Sequence, residues 1–153
     1  MRTAFQRAGP VVAVAASALV AVPATADAAA AAASPTAVCG ADGHSYSVVA
    51  SSPVKFSSGT VAGTVYLLYS SSKNCVVTVR TSYTGTATFT TAQLIIQNGN
   101  TYVDQGNYNS YAGPVRGGAA GKCVKYWGSI NTGPDGQAGA NAGGGRMSWG
   151  NCG

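Results

Sequence analysis

Residues 63–83 restrict the fold of this chain more than any other segment, because they have the pattern of two β-strands joined by a polar turn. Residues 65–69 and 75–80 are rich in Val, Leu, Tyr and Thr, and side chains along a strand point alternately to the two faces of a sheet. Each strand is therefore expected to present one mainly apolar face. The five polar residues 70–74 between them have a normal length for a longer hairpin loop. Cys75 opens the second strand, which predicts a covalent link to another part of the sheet.

Other β-prone segments surround this hairpin, and no amphipathic helical period accompanies them. Asn98-Gly99 is the strongest hairpin-turn signal in the chain. The Gly-, Ala- and Asn-rich residues 131–145 are predicted to be a flexible loop, and residues 146–150 a short edge strand. This spacing predicts an all-β fold, a small antiparallel β-sandwich or barrel of about seven to eight strands. The remaining predicted strands are residues 45–50, 86–97, 101–104, 106–115 and 122–130, with Ala92, Leu94 and Ile96 on one face and Phe89 and Ile95 on the other.

The N-terminal segment has the three parts of a secretory signal peptide. Arg2 and Arg7 supply the basic region, residues 11–22 are apolar, and small residues precede cleavage sites after Ala26 or Ala28. The apolar run is shorter than the ~20 residues that span a bilayer, so a membrane anchor is the weaker interpretation. We therefore predict a secreted, extracellular protein with no integral membrane contact.

Three segments follow from this interpretation. Residues 1–28 are the predicted signal peptide. Residues 29–38 are Ala-rich, have nothing to pack against, and are predicted to be a disordered leader. Residues 39–153 are predicted to be one disulfide-stapled all-β domain.

The cysteines are an even set in a chain with an export signal, which predicts two disulfides. A zinc site needs closely spaced pairs, and these four cysteines are far apart along the chain. Three pairings are compatible with the sequence. We prefer Cys39–Cys75 with Cys123–Cys152, because each would tie a loosely structured segment to a strand.

The charge distribution argues against nucleic-acid binding. The chain contains no Glu, and from residue 29 onward seven Lys and Arg residues stand against three Asp residues, a net charge of about +4. The basic residues are scattered singly, whereas nucleic-acid binders cluster them, so we expect a solvated surface. Adhesion to an anionic cell-wall polymer is compatible with this charge.

Several short motifs occur in an order that resembles the spore-associated protein A family of secreted actinomycete proteins. The resemblance extends from about Cys39 to Gly153 and implies a location on or near the spore and aerial-filament surface. It implies no established chemistry, and it assigns no functional residues. The motifs are Cys39-Gly40, GTVYLLY, Asn74-Cys75-Val76-Val77-Thr78, Tyr111-Ala112-Gly113-Pro114-Val115, Gly121-Lys122-Cys123-Val124, Trp127-Gly128 and the terminal Trp149 and Cys152.

Catalytic residue sets are difficult to find in this sequence. After the signal peptide it offers only Asp42, Asp104 and Asp135 as carboxylates, all in or beside predicted turns. His44 is the sole histidine, with no evident nucleophile or orienting partner. We therefore predict that the protein is not an enzyme, with no catalytic residues, no metal site and no cofactor.

Aromatic residues suggest a binding function instead. Tyr108, Tyr111, Tyr126, Trp127 and Trp149 lie in the Asn-rich C-terminal half, and Tyr and Trp rings stack on sugars while amides supply hydrogen bonds. Tyr108 and Tyr111 are expected to face opposite sides of a strand, so they do not form one platform. The competing interpretation is that several of these rings belong to the core.

The sequence therefore predicts a secreted, non-catalytic, spore- or cell-surface-associated protein, with cell-wall polysaccharide as the candidate ligand. One alternative is a surface-assembling structural protein, because TTAQLIIQ and CVVTV are charge-poor and β-prone. Another is a secreted protease inhibitor that presents residues 111–114 as a rigid loop. The oligomeric state stays open.

Overall fold

The computed structural model describes residues 33–71, 73–132 and 139–153 of the 153-residue chain. The predicted signal peptide, residues 1–28, and the first part of the predicted leader, residues 29–32, lie outside the described residues. Part of the Gly-rich segment, residues 133–138, also lies outside them. Within the described ranges, no helix has the length and apolar character needed to cross a membrane.

Eight antiparallel strands form one sheet, which confirms the predicted all-β class. Along the chain the elements are α1 Pro35–Cys39, a 3-10 turn Gly40–Asp42, β1 Ser47–Lys55, β2 Val61–Ser70, β3 Lys73–Arg80, β4 Thr88–Ile96, β5 Thr101–Tyr108, β6 Tyr111–Gly118, β7 Val124–Asn131 and β8 Asn141–Gly150. In the sheet the strands are ordered β5-β4-β7-β8-β1-β2-β3-β6. Because β3 and β4 each have a neighbour on both sides, TTAQLIIQ and CVVTV belong to interior strands rather than to edges.

The edge strands β5 and β6 approach each other, so the sheet is a nearly closed barrel. Between them the Asp104 carboxylate accepts a hydrogen bond from the Gly113 N–H at 2.6 Å. Nearby, the Arg80 guanidinium donates to the carbonyls of Thr86 and Tyr108. Arg80 is 1% exposed, so the prediction that the isolated basic residues are solvated is wrong at this position. Backbone carbonyls replace water around its charge.

The main hydrophobic core fills the interior of the barrel, as the alternation of side chains along each strand requires. Ala92, Leu94 and Ile96 on β4 face this core, while Phe89 and Ile95 are half-buried on the opposite face, as predicted. The other strands contribute Val54, Ala62, Val65, Leu67, Val76, Ala112, Val115, Val124, Tyr126, Ile130 and Ala142.

The central hairpin, β2 and β3, is buried on both faces rather than on one. Its outer face carries Leu68 and Val77, which pack in a second cluster with Cys39 and Tyr46. That cluster forms because α1 lies against the outside of β3. The hairpin therefore has apolar residues on both faces, which explains its continuous hydrophobic run.

Residues 35–38 of the predicted leader are helical, so that part of the disorder prediction is wrong. The Ser34 hydroxyl caps α1 by accepting the Ala37 N–H at 3.4 Å. At the other end, the Arg116 guanidinium donates to the carbonyls of Val38 and Cys39 at 2.9 to 3.1 Å. The helix is thus held by contacts from β6 that are distant in sequence.

Two predicted boundaries also differ. The loop between β2 and β3 has two residues instead of five, because Tyr69 pairs with Asn74 and Ser70 pairs with Lys73. The last strand, β8, begins at Asn141 and lies between β7 and β1, so it is not an edge strand. It passes close to β1 at Gly144, where a Cβ atom would lie 2.8 Å from the carbonyl carbon of Pro53.

Both preferred disulfides are present. Cys39–Cys75 joins the end of α1 to β3 and spans 36 residues, and Cys123–Cys152 joins the segments flanking β7 and β8 and spans 29 residues. Among the described residues no cysteine is free. Each disulfide fixes a terminal segment of the domain to the sheet.

Replacing Gly128 by Ala is expected to lower the free energy of unfolding by about 1–3 kcal/mol, because the added methyl would overpack the barrel interior. A Cβ at Gly128 would lie 2.8 Å from the Val65 Cβ and would also press on the Thr78 hydroxyl. Gly118→Ala is the matched control, since a Cβ there meets nothing within 4 Å. Equal urea unfolding midpoints for the two variants would contradict this packing.

Candidate functional site

The five aromatic residues singled out in the sequence do not form one surface. Tyr126 belongs to the barrel core at 2% exposure, and its hydroxyl is 2.9 Å from the Ser52 hydroxyl. Trp127 is half-buried on the outside of β7, where its ring covers Gly143. Trp149 is 43% exposed. Of the residues on β7 and β8, Trp149 is therefore the ring that is available to a ligand.

Tyr108 and Tyr111 lie at the opposite end of the barrel from Trp149. As predicted, they pack on different sides of the sheet: Tyr108 contacts the interior core and Tyr111 the outer cluster. Both nevertheless line a shallow cleft of about 330 Å³ together with Asn109, Ser110 and Gly113. Residues 111–114 are the start of strand β6, so the prediction that they form a rigid loop is wrong.

The Tyr108 hydroxyl is expected to ionise only near pH 12. Its hydrogen bond to Asp104 at 2.6 Å, with burial and the carboxylate charge, raises the pKa of Tyr108 to about 12. Because the pKa is higher in the folded than in the unfolded chain, its contribution to stability is complete below about pH 10 and is lost as the pH rises towards 12. Ultraviolet titration should show a tyrosine step near pH 12, and Asp104→Asn should move that step to lower pH. An unchanged titration would contradict the assignment.

The two ends of the barrel are named here after the residues Asn74 and Arg80 of β3. Asn74 lies near the start of β3 and Arg80 at its end, and both side chains face the barrel interior. We call these the Asn74 end and the Arg80 end. The Arg80 end is closed by the guanidinium and the carbonyls that it contacts. The Asn74 end carries the candidate site.

The seam between β1 and β8 opens towards the Asn74 end. The two strands are neighbours, but among the described residues they share one register pair, Lys55 with Gly143, near the Arg80 end. Farther along β1 the register is shifted between Val48 and Ala50. Val48 and Val49 are consequently 44% and 43% exposed, which leaves apolar strand surface beside the opening.

A bulge in β8 forms one side of this region. Val124 pairs with Gly150 and Tyr126 pairs with Arg146, so residues 147–149 lie opposite the single residue Lys125. We call residues 147–149 the Trp149 bulge. The Lys125 ammonium lies 4.2 Å from the Trp149 ring centroid, a cation–π contact that restrains the exposed ring.

A pocket of about 220 Å³ lies at the Asn74 end of the barrel. Asn74 is 2% exposed, and its Nδ2 has no hydrogen-bond partner among the described residues. A buried amide donor without a partner is destabilising by about 1–3 kcal/mol, and an acceptor that reached it would remove that cost. The pocket, called the Asn74 pocket below, is lined by Val49, Tyr69, Asn74, Asn151, Cys152 and Gly153.

Arg146 connects the pocket to the barrel interior. Its guanidinium lies 5.5 Å from the Tyr126 ring centroid and donates to the Asn151 side-chain oxygen. It also reaches the Val124 carbonyl at 3.5 Å. Because Asn151 lines the pocket, Arg146 helps to hold the pocket wall in place.

His44 has neighbours that the sequence did not reveal. Its Nδ1 lies 3.4 Å from the Asp42 carboxylate, and its Nε2 lies 3.4 Å from the Lys73 ammonium. Asp42 also accepts the Tyr46 hydroxyl at 3.1 Å and faces Arg116 at 3.4 Å. These contacts fasten the 3-10 turn to β6. Among the residues described, no group of three or more His, Cys, Asp or Glu side chains is arranged to hold a metal ion.

Sequence reasoning missed Asn74 and Val49 as pocket residues. Asn74 was assigned to the hairpin loop because it is polar and follows Lys73. The alternation that places Val76 and Thr78 inward also places Asn74 inward, and this was the available signal. No comparable signal marked Val49, because its exposure arises from the register shift between β1 and β2.

Comparison with known proteins supports the resemblance found in the motifs. The chain is 46% identical over 94 residues to Spore-associated protein A from Streptomyces coelicolor, and the alignment covers 60% of this chain and 57% of that protein. The chain therefore spans a little over half the length of this relative. No family model matches the sequence, and no solved structure matches it. The two disulfides fit an extracellular or surface location.

Proposed function

We propose that this protein is a secreted, non-catalytic domain that binds cell-wall polysaccharide on the spore or cell surface, at the Asn74 end of its barrel. The observation that carries the proposal is the exposed, restrained Trp149 ring, which lies two residues before the pocket-lining Asn151. An aromatic ring two residues from a small, mainly apolar pocket with two amide side chains suits a sugar chain, because sugars offer an apolar face and polar substituents together.

The charge near this end supports the proposal. Lys125 lies on the Trp149 ring, Arg146 holds Asn151, and Lys122 is exposed in the preceding loop. The whole sequence carries a net charge of +5. A basic surface favours contact with the anionic polymers of a cell wall.

Export and surface location rest on the N-terminal signal pattern, the two disulfides and the name of the Streptomyces relative. A non-catalytic role is supported by the engagement of the two carboxylates that the structure describes, Asp42 and Asp104. Both oxygens of Asp104 are occupied, by the Tyr108 hydroxyl and the Gly113 N–H. Asp42 is occupied by the contacts that fasten the 3-10 turn.

Replacing Trp149 by Ala is expected to weaken retention on the target polysaccharide about tenfold or more, because aromatic anchors dominate such contacts. The measurement is co-sedimentation of the oxidised domain with purified spore walls, peptidoglycan, chitin and β-glucan. Tyr83→Ala is the matched control, since Tyr83 is a 50% exposed ring beside the Arg80 end. We expect the control to bind like the parent protein.

Absence of retention on every polymer would overturn the proposal. Sedimentation velocity on the same samples distinguishes the alternatives. A sedimentation coefficient that increases with concentration would favour surface assembly, and a monomer without retention would favour a protein partner.

A further inference from the structure

We propose that the Asn74 pocket receives the acetamido group of an N-acetylated amino sugar. This inference rests on the proposed function, because it names the sugar class recognised at the same end of the barrel. In this arrangement Asn74 Nδ2 donates to the acetamido carbonyl, while the acetamido methyl contacts the apolar wall of the pocket. The sugar ring lies at the rim, on the side of the Trp149 bulge.

Asn74 is 2% exposed and lines the pocket, and its buried Nδ2 has no partner among the described residues. Buried polar groups in folded proteins are nearly always hydrogen-bonded, so a small turn of this amide towards the pocket would let a ligand carbonyl satisfy it. A neutral carbonyl fits better than a carboxylate or phosphate, because one amide does not compensate the burial of a charge.

Apart from Asn74 and Asn151, the pocket is lined by Val49, Tyr69, Cys152 and Gly153, and its wall is mainly apolar. An ordinary sugar hydroxyl would satisfy the donor but would leave this apolar wall without a contact. An acetamido group can accept the hydrogen bond through its carbonyl and contact the apolar wall through the adjacent methyl.

The pocket volume of about 220 Å³ is below the ~300–1,000 Å³ of sites for drug-sized molecules. It therefore suits a single substituent or one sugar residue rather than an extended chain. The remainder of a polymer would lie outside the pocket, along the Trp149 bulge and the exposed residues Val48 and Val49 of β1.

The test is isothermal titration of the oxidised domain with three tetramers: N-acetylglucosamine, glucosamine and glucose in β-1,4 linkage. We expect the N-acetylated tetramer to bind about tenfold or more tightly than the other two, the effect of one buried hydrogen bond with its apolar contact. The glucose tetramer is needed because glucosamine is cationic and would be repelled by a basic surface.

Asn74→Leu and Asn74→Asp should reduce binding of the N-acetylated tetramer to the level of the glucose tetramer. Asn74→Leu should not lower the melting temperature, because it removes an unpaired buried amide. Asn109→Leu, at an exposed position beside the Arg80 end, is the control and should bind normally.

Two results would overturn the inference and are distinguishable. Equal binding of the glucose and N-acetylglucosamine tetramers, unaffected by Asn74→Leu, would reject acetamido recognition and leave polysaccharide binding standing. Absence of binding to every tetramer, together with no retention on insoluble polymers, would reject both proposals.

Discussion

Replacing Arg80 by Met is expected to lower the free energy of unfolding by about 3–4 kcal/mol. The Arg80 guanidinium is buried inside the barrel and donates to the carbonyls of Thr86, Tyr83 and Tyr108. Methionine fills a similar volume but leaves these acceptors without a donor. Burial lowers the pKa of Arg80, yet its ordinary value is high enough that the group stays charged at neutral pH.

Arg80 Nε has no hydrogen-bond partner among the described residues. Because the substitution also removes this unpaired group, the decrease in the free energy of unfolding is smaller than the lost hydrogen bonds alone would give. Chemical denaturation followed by tryptophan fluorescence measures the change. Lys55→Met is the matched control, since Lys55 is exposed, and it should change stability by less than about 0.5 kcal/mol. A loss below 1 kcal/mol for Arg80→Met would contradict its role in closing the barrel.

Replacing both Cys39 and Cys75 by Ala is expected to lower the free energy of unfolding by about 3–4 kcal/mol. The disulfide spans 36 residues, and both sulfur-bearing side chains are fully buried in the outer cluster. Without it, α1 keeps the Arg116 hydrogen bonds to the Val38 and Cys39 carbonyls and the packing of Val38 on the outer cluster. We therefore expect α1 to separate from β3 before the barrel itself unfolds.

Thermal melts measure the loss of stability, and hydrogen exchange measures the separation of α1 from β3. Amides of α1 should exchange faster in the double variant, while those of β4 and β7 stay protected until global unfolding. Removing Cys123 and Cys152 is the comparison, because that disulfide spans 29 residues but joins exposed segments at the Asn74 end. Equal exchange of α1 with and without Cys39–Cys75 would contradict this account.

The strands and their faces were predictable because local alternation determines them. Leu94 and Ile96 on β4 face the core where period two places them. The neighbours of β8 were not predictable, because its position between β7 and β1 depends on pairings distant in sequence. Arg80 was misjudged for the same reason: Thr86 and Tyr108 supply its partners only after the barrel closes.

The candidate site was harder to predict than the fold. Trp149 and Tyr126 were both predicted as candidate binding residues, but Trp149 is 43% exposed and Tyr126 lies in the core. What separates them is the bulge at residues 147–149, which no local pattern specifies. The Asn74 pocket combines β1, β2, β3 and the residues after β8, so it exists only in the assembled barrel.

The most direct test of polysaccharide binding at the Asn74 end is an amide correlation spectrum recorded during titration with the N-acetylglucosamine tetramer. The spectrum reports the Asn74 side-chain amide and the Trp149 indole N–H as separate signals. We predict that both signals shift in a saturable manner, together with the backbone amides of Val49 and Asn151, while the Tyr108–Tyr111 cleft stays unchanged. Shifts confined to that cleft, or no shifts at saturating sugar, would contradict the account.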